Sequence, residues 1–318
     1  MFWLNLLGLG PPPDDPRLLE AIERAVDRVE PRLKQAGGYP GRYRGAIALA
    51  LHYSDQLAGA IPGPLELDPE HFNRNPLVRA VFTMQEDIQR MLLRSKTMRE
   101  FQRGPDDGPD IHALMGMRRY EKNIFGMEIE GEVLRRDVAQ QSITFSDHNL
   151  SCITSEETGA RALVAWRIFD SLIAQVANHI ESLLQEKIQV GQRRDEVLAR
   201  LHGANAEDRA ALLQEASQLL TLLTEATQRL NLDHLPALFD TLLHTPETLV
   251  RLEQQQFRLD AMGIQRNQAD TGISHALTFS DLLGQDRRRW CVALVRIPYQ
   301  ELPPLAERLQ DANRWLAI

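Results

Sequence analysis

The sequence predicts a mainly α protein with a small antiparallel β-sheet, an α+β class in which a long antiparallel helical hairpin is inserted between sheet segments. Three observations predict it. Helical periodicity dominates the first 122 residues, strand-like alternation begins at Asn123 and returns near the C-terminus, and an unbroken heptad seam fills the stretch between. The expected layout is an N-terminal helical region (1–122), a sheet head (123–155 with 270–298), a hairpin arm (156–262) and a C-terminal helix (299–318).

Asp15-Pro16 reads as an N-cap followed by proline at the first helical position, and Leu18, Ile22, Ala25, Val29 and Leu33 then recur at helical spacing until Gly37-Gly38. A second helix is expected from Arg44 to Ala60, ended by Ile61-Pro62-Gly63-Pro64. Asp68-Pro69 and Asn75-Pro76 are two further cap-plus-proline starts. The second opens a continuous amphipathic helix with Leu77, Val81, Met84, Ile88, Met91, Ser95 and Met98 on one face. After the polar run Gly104 to Pro109, Asp110 is expected to cap a shorter helix to Lys122.

From Asn123 the period changes. Phe125, Met127, Ile129 and Val133 share one parity and Glu128, Glu130 and Glu132 the other, which predicts a half-buried strand with one wet face. Gln141–Phe145 and Leu150–Thr154 read as short strands around an Asp147-His148-Asn149 turn. His275–Phe279 reads as a short strand. Trp290–Ile297 is apolar at both parities, as a central strand covered on both faces would be, and Pro298 ends it. A last helix is expected from Leu302 to Trp315.

The arm rests on its periodicity. Trp166, Phe169, Ile173, Val176, Ile180, Leu183, Lys187, Val190, Arg194, Val197 and Leu201 alternate spacings of three and four without a skip. A seam sustained this long predicts a coiled coil. His202-Gly203-Ala204-Asn205 supplies a glycine stop and a fresh N-cap, so the chain should reverse there. Leu212, Ala216, Leu219, Leu223, Ala226 and Leu230 resume the spacing. The returning leg is expected in three pieces, broken at Asp233–Pro236 and at Thr245-Pro246, the last a helix from Thr245 to Met262. Lys187 and Arg194 are the polar seam positions. Their aliphatic stems cover the seam while their charges reach water, and as candidate partner-binding residues they would meet an anionic surface.

Composition narrows the function classes. A formal net charge of -8 and a pI near 5.6 repel polyanions on average, so nucleic acid is not an expected partner. Basic residues are mostly arginine, with lysine only at positions 34, 96, 122 and 187, a bias expected of a GC-rich bacterial genome. Cys152 and Cys291 are distant from each other, lie in apolar runs and read as free thiols of a cytoplasmic protein. Residues 1–10 are apolar but lack the charge and cleavage pattern of a secretory signal. They offer peripheral membrane contact through Phe2, Trp3 and Leu6 as an alternative to packing on the body.

Few residues suggest chemistry. Thr-Phe-Ser-Asp occurs at Thr144–Asp147 and Thr278–Asp281, flanking the arm, where the copies would form neighbouring strands at its base. Ser146-Asp147-His148 holds triad residue types, yet consecutive strand residues diverge and cannot relay a proton among themselves. A bipartite catalytic site from Asp147, His148, His275 and Asp281 requires the two segments to meet; solvated turn residues explain the same positions. Arg287-Arg288-Arg289 reads as a solvated strand start, with a phosphate contact as the alternative. No phosphate loop, dinucleotide fingerprint or metal-ligand spacing is present, so neither cofactor nor metal is expected.

The expected function is a non-enzymatic protein–protein interaction protein, an adaptor or regulatory subunit that engages a protein partner, or its own copy, through the arm. The alternatives are an enzyme or small-ligand sensor with its site at the two Thr-Phe-Ser-Asp segments, and a peripheral membrane protein.

Overall fold

The computed structural model describes residues 15–101, 108–130, 133–231, 233–267, 272–285 and 289–302. The protein is mixed α+β, with a six-stranded sheet that is larger than the sequence predicts. The described residues form two compact units, each assembled from separated stretches: those within 15–54 and 167–250, and those within 55–166 and 251–302.

The first unit is helical. Helix α1 (Pro16–Val29) is capped by the Asp15 carboxylate, which accepts from the Arg17 N–H at 3.0 Å. It ends earlier than the periodicity suggests because Pro31 has no N–H and disfavours helix at the residue before it. A 3-10 turn over Pro31–Gln35 follows, bringing Leu33 into the core. Helix α2 (Arg44–Ala60) has the expected bounds, and its residues up to Ser54 belong to this unit. Tyr43 is fully buried, its ring edge-on to Phe239 at 5.4 Å and its hydroxyl donating to the Leu33 carbonyl at 3.2 Å.

The second unit carries the sheet. Helix α3 (Pro69–Arg74) follows the Asp68-Pro69 start, and short helices α4 (Pro76–Val81), α5 (Gln85–Arg94) and α6 (Lys96–Glu100) replace the single amphipathic helix expected after Asn75. Both proline starts cap as expected: Asp68 accepts from the His71 N–H at 2.8 Å and Asn75 from that of Leu77 at 2.9 Å. The run is then broken at Phe82, which turns extended, and at Ser95, whose hydroxyl caps α6 through the Met98 N–H at 3.2 Å. Val81, Ile88, Met91 and Met98 still reach one core; Met84 is half exposed.

Strands β1 (Leu65–Glu66), β2 (Asp110–Glu130), β3 (Val133–Thr154), β4 (Val250–Leu259), β5 (His275–Gly284) and β6 (Arg289–Pro298) pair in the order β3-β2-β6-β5-β4. The two residues of β1 add in parallel to β6, while β2 pairs antiparallel with β3 and β6, and β5 with β6. As its double-sided apolar pattern implies, β6 lies inside the sheet, with Cys291 to Val295 and Ile297 buried. The helix expected from Asp110 is instead β2. Its Ala, Leu and Met content favours helix locally, but pairing with β3 and β6 buries Ile111, Ala113, Met115 and Met117 on one face. Past Met117, β2 pairs with β3 alone, so Phe125, expected inside, is 79% exposed. The third helical piece, Thr245–Met262, is a 3-10 turn at Pro246–Thr248 followed by β4.

The short strands expected on either side of Asp147 are one strand, β3, with three register shifts. Each shift holds one non-glycine residue with positive φ: Asp137 (61°), Asp147 (54°) and Cys152 (55°). A bulge of this kind bends the strand and raises its twist. The curvature lets the sheet return on itself. After β4, Gly263 accepts from the Ile143 N–H and Gln265 donates to the Gln141 carbonyl, both at 2.8 Å, linking β4's turn to β3.

Candidate functional site

The rolled sheet encloses a polar cluster. Along the path β2 and β4 are three spacings apart, about 14 Å in a flat sheet. Yet Arg119 of β2 donates to the Gln255 side chain of β4 and lies over the Phe257 ring at 4.8 Å. Those contacts cross the interior. The Arg119 side chain is 2% exposed and its Nη2 lies 3.0 Å from Asp281 Oδ2 of β5, which is fully buried. Its Nε donates to Glu121 at 3.0 Å. Arg119 Nη1 and both Asp281 oxygens have no hydrogen-bond partner among the described residues; the 3.0 Å approach is a charge contact without hydrogen-bond alignment. Cys291 is paired with Asp281 in the β5–β6 ladder. Burial, then the neighbouring Asp281 carboxylate, pushes its thiol pKa up to about 12, leaving it protonated and inert.

The predicted site residues fall into three environments. Asp147 sits exposed at a bulge, its carboxylate accepting from the Tyr120 hydroxyl at 3.4 Å and lying 3.8 Å from Arg118 Nε. His148 turns inward, stacked on Phe82 at 4.6 Å, with Nε2 3.1 Å from the Val81 carbonyl. Burial holds its pKa below the usual imidazole value. His275 is exposed at the start of β5, on a cleft of about 370 Å³ shared with Arg74, Arg79 and Asp260. Asp281 alone joins the interior cluster. The two Thr-Phe-Ser-Asp copies are not neighbouring strands, since β2 and β6 separate β3 from β5, but Phe145 and Phe279 meet at 4.8 Å across the interior. The shift at Asp147 explains why identical tetrapeptides end with one aspartate exposed and the other buried.

Sequence reasoning missed Arg119, Glu121, Gln255 and the role of Cys291. One signal was available. Arg119 continues the odd parity of Ile111, Ala113, Met115 and Met117, which marks an inward arginine once the segment is read as a strand.

Helix α7 (Glu157–Gly203), whose residues from Arg167 belong to the helical unit, is unbroken; in that unit α8 (Ala206–Arg229) starts at the Asn205 cap, which accepts from the Asp208 N–H at 2.9 Å, and α9 is Leu235–Leu243. Lys187 and Arg194 are half-buried, and Arg194 engages Asp195 at 2.6 Å. Leu184, Ile188, Leu198, Leu213 and Leu220 are exposed by 38% to 55%.

Among the described residues, no group of three or more His, Cys, Asp and Glu is placed to hold a metal ion, and no helix is long and apolar enough to cross a membrane. The membrane contact expected of residues 1–10, the C-terminal helix from 303 onward, and Arg287 and Arg288 lie outside the described residues. No protein-family model, curated protein or solved structure matches the chain.

Proposed function

We propose that α7 and α8 form an antiparallel helical hairpin whose apolar face docks a helix of a protein partner, making this chain a non-enzymatic adaptor or regulatory subunit. Several contacts support the pairing. Arg193 bonds Glu215 at 3.0 Å, Gly191 lies near Leu223, and Leu183 and Gln228 line one cleft, so partners rise on α8 as positions fall on α7. On both helices the seam positions, Val190 excepted, are less exposed than the residues that follow them. At ~1.5 Å per residue, α7 is roughly 70 Å long.

The observation that carries the proposal is the second apolar stripe. Leu184, Ile188 and Leu198 each follow a seam residue of α7, and Leu213 and Leu220 each follow one of α8. One residue is ~100° of rotation, and antiparallel helices turn in opposite senses seen from one end. Both stripes therefore fall on the same side of the pair. Isolated exposed leucines are ordinary; a double row is a groove for another amphipathic helix. Lys187 and Arg194 lie on the seam and flank that groove rather than form it.

The test is co-purification from the native host, with quantitative mass spectrometry and the solution mass of each complex. Ile188→Glu/Leu220→Glu is expected to keep helicity and lose a partner or a self-association step. Deletion of residues 192–211 should do the same. If both variants retain the wild-type partners and mass, the proposal fails.

A further inference from the structure

We propose that the mouth of the rolled sheet binds a small oxyanion, through the guanidinium groups of Arg118, Arg119 and Arg289. A cavity of about 240 Å³ opens there, lined by these three arginines with Tyr120 and Trp290. This site belongs to the sheet unit and is independent of the helical pair.

The balance of donors and acceptors points to the ligand. Three carboxylates face the arginines: Asp281, Glu121 and Asp147. They satisfy little of the donor capacity. Arg119 uses Nε on Glu121 and Nη2 on Gln255, while its buried Nη1 and both oxygens of the adjacent Asp281 have no hydrogen-bond partner among the described residues. Buried donors without acceptors are rare in native structures, and a ligand is one way to satisfy them. Arg289 Nε stands 3.8 Å from Asp281, and Arg118 Nε stands 3.8 Å from Asp147, beyond hydrogen-bonding reach. Arg118 is held instead over the Trp290 ring at 5.4 Å.

The three carboxylates balance the charge of the three arginines, so it is the directed N–H groups of the half-exposed Arg118 and Arg289, rather than an excess of positive charge, that would engage a ligand in the cavity. An oxyanion supplies several acceptors at once and matches the fork geometry. The volume is below that of ordinary drug-sized pockets and suits a phosphate or a short carboxylate, free or as the head of a larger molecule. Asp281 does not oppose this role. It neutralises part of the charge of Arg119 and Arg289 and keeps the buried guanidinium in place.

Calorimetric titration of the full-length protein with inorganic phosphate and, separately, acetate at fixed ionic strength tests the proposal, with tryptophan fluorescence as a second readout. One saturable site is expected for at least one ion. Its affinity should fall about tenfold in Arg118→Gln and in Arg289→Gln, the loss of one charge-assisted hydrogen bond. Both side chains are about half exposed, so these variants keep the fold. Tighter phosphate than acetate identifies a tetrahedral anion, and the reverse order identifies a carboxylate. No saturable binding of either ion up to roughly 10 mM, a concentration that detects even millimolar affinity, overturns the proposal. So does binding that both variants leave unchanged.

Discussion

Replacing Asp281 by alanine isolates the energetics of the sheet interior. The carboxylate is fully buried, 3.0 Å from an arginine that is itself 2% exposed. Breaking a buried ion pair by removing one partner costs about 3–5 kcal/mol, because the remaining charge is stranded in low dielectric. Arg119 is not left wholly alone, since Glu121 and Gln255 still accept from it. Glu121, however, is 37% exposed and therefore screened. The expected loss is thus at the lower end of that range, about 3 kcal/mol. Urea unfolding followed by circular dichroism measures it, and hydrogen exchange at the amides of β5 and β6 locates it. Removing both charges in Arg119→Met/Asp281→Leu should recover stability to within about 1 kcal/mol of wild type, as well-packed apolar replacements of buried pairs do. If Asp281→Ala lies within about 0.5 kcal/mol of wild type, the reasoning is refuted. A double variant no more stable than the single one refutes it equally.

Two further outcomes follow from the closure of the sheet and from His148. Gly263 has φ 74° and a Cβ there would stand 2.6 Å from the Ile143 carbonyl, the strand it bridges. Gly263→Ala should therefore destabilise by about 2–4 kcal/mol, from left-handed strain of about 1 kcal/mol plus the loss of one or two closing hydrogen bonds. Faster amide exchange at Ile143 and Gln265 would accompany it; unchanged exchange there would remove the closure argument. His148 has its pKa lowered by burial, so its contribution to stability is present above the unfolded value near 6.5 and is lost as pH falls. Unfolding free energy should decline below about pH 6.5, and less steeply in His148→Phe, which keeps a ring on Phe82. Identical pH profiles for the two proteins would contradict this.

What the sequence determined by itself is set by interactions within a turn or along one face. Asp15, Asp68, Asn75 and Asn205 cap the helices they were expected to start, because a cap bonds an N–H two or three residues away. The unbroken run of α7 and the central position of β6 were legible for a related reason: a uniform pattern over many residues leaves one period that fits. Only the tertiary structure decided that Asp110–Lys122 and Val250–Leu259 are strands. Their helix-favouring residues are overruled by partners far away in the chain, and local propensity carries no trace of those partners. The same holds for the interior cluster. Asp281 could be marked as a candidate from its repeated tetrapeptide, but Arg119, Gln255 and Cys291 become its neighbours only because bulged strands curl the sheet until distant strands face one another.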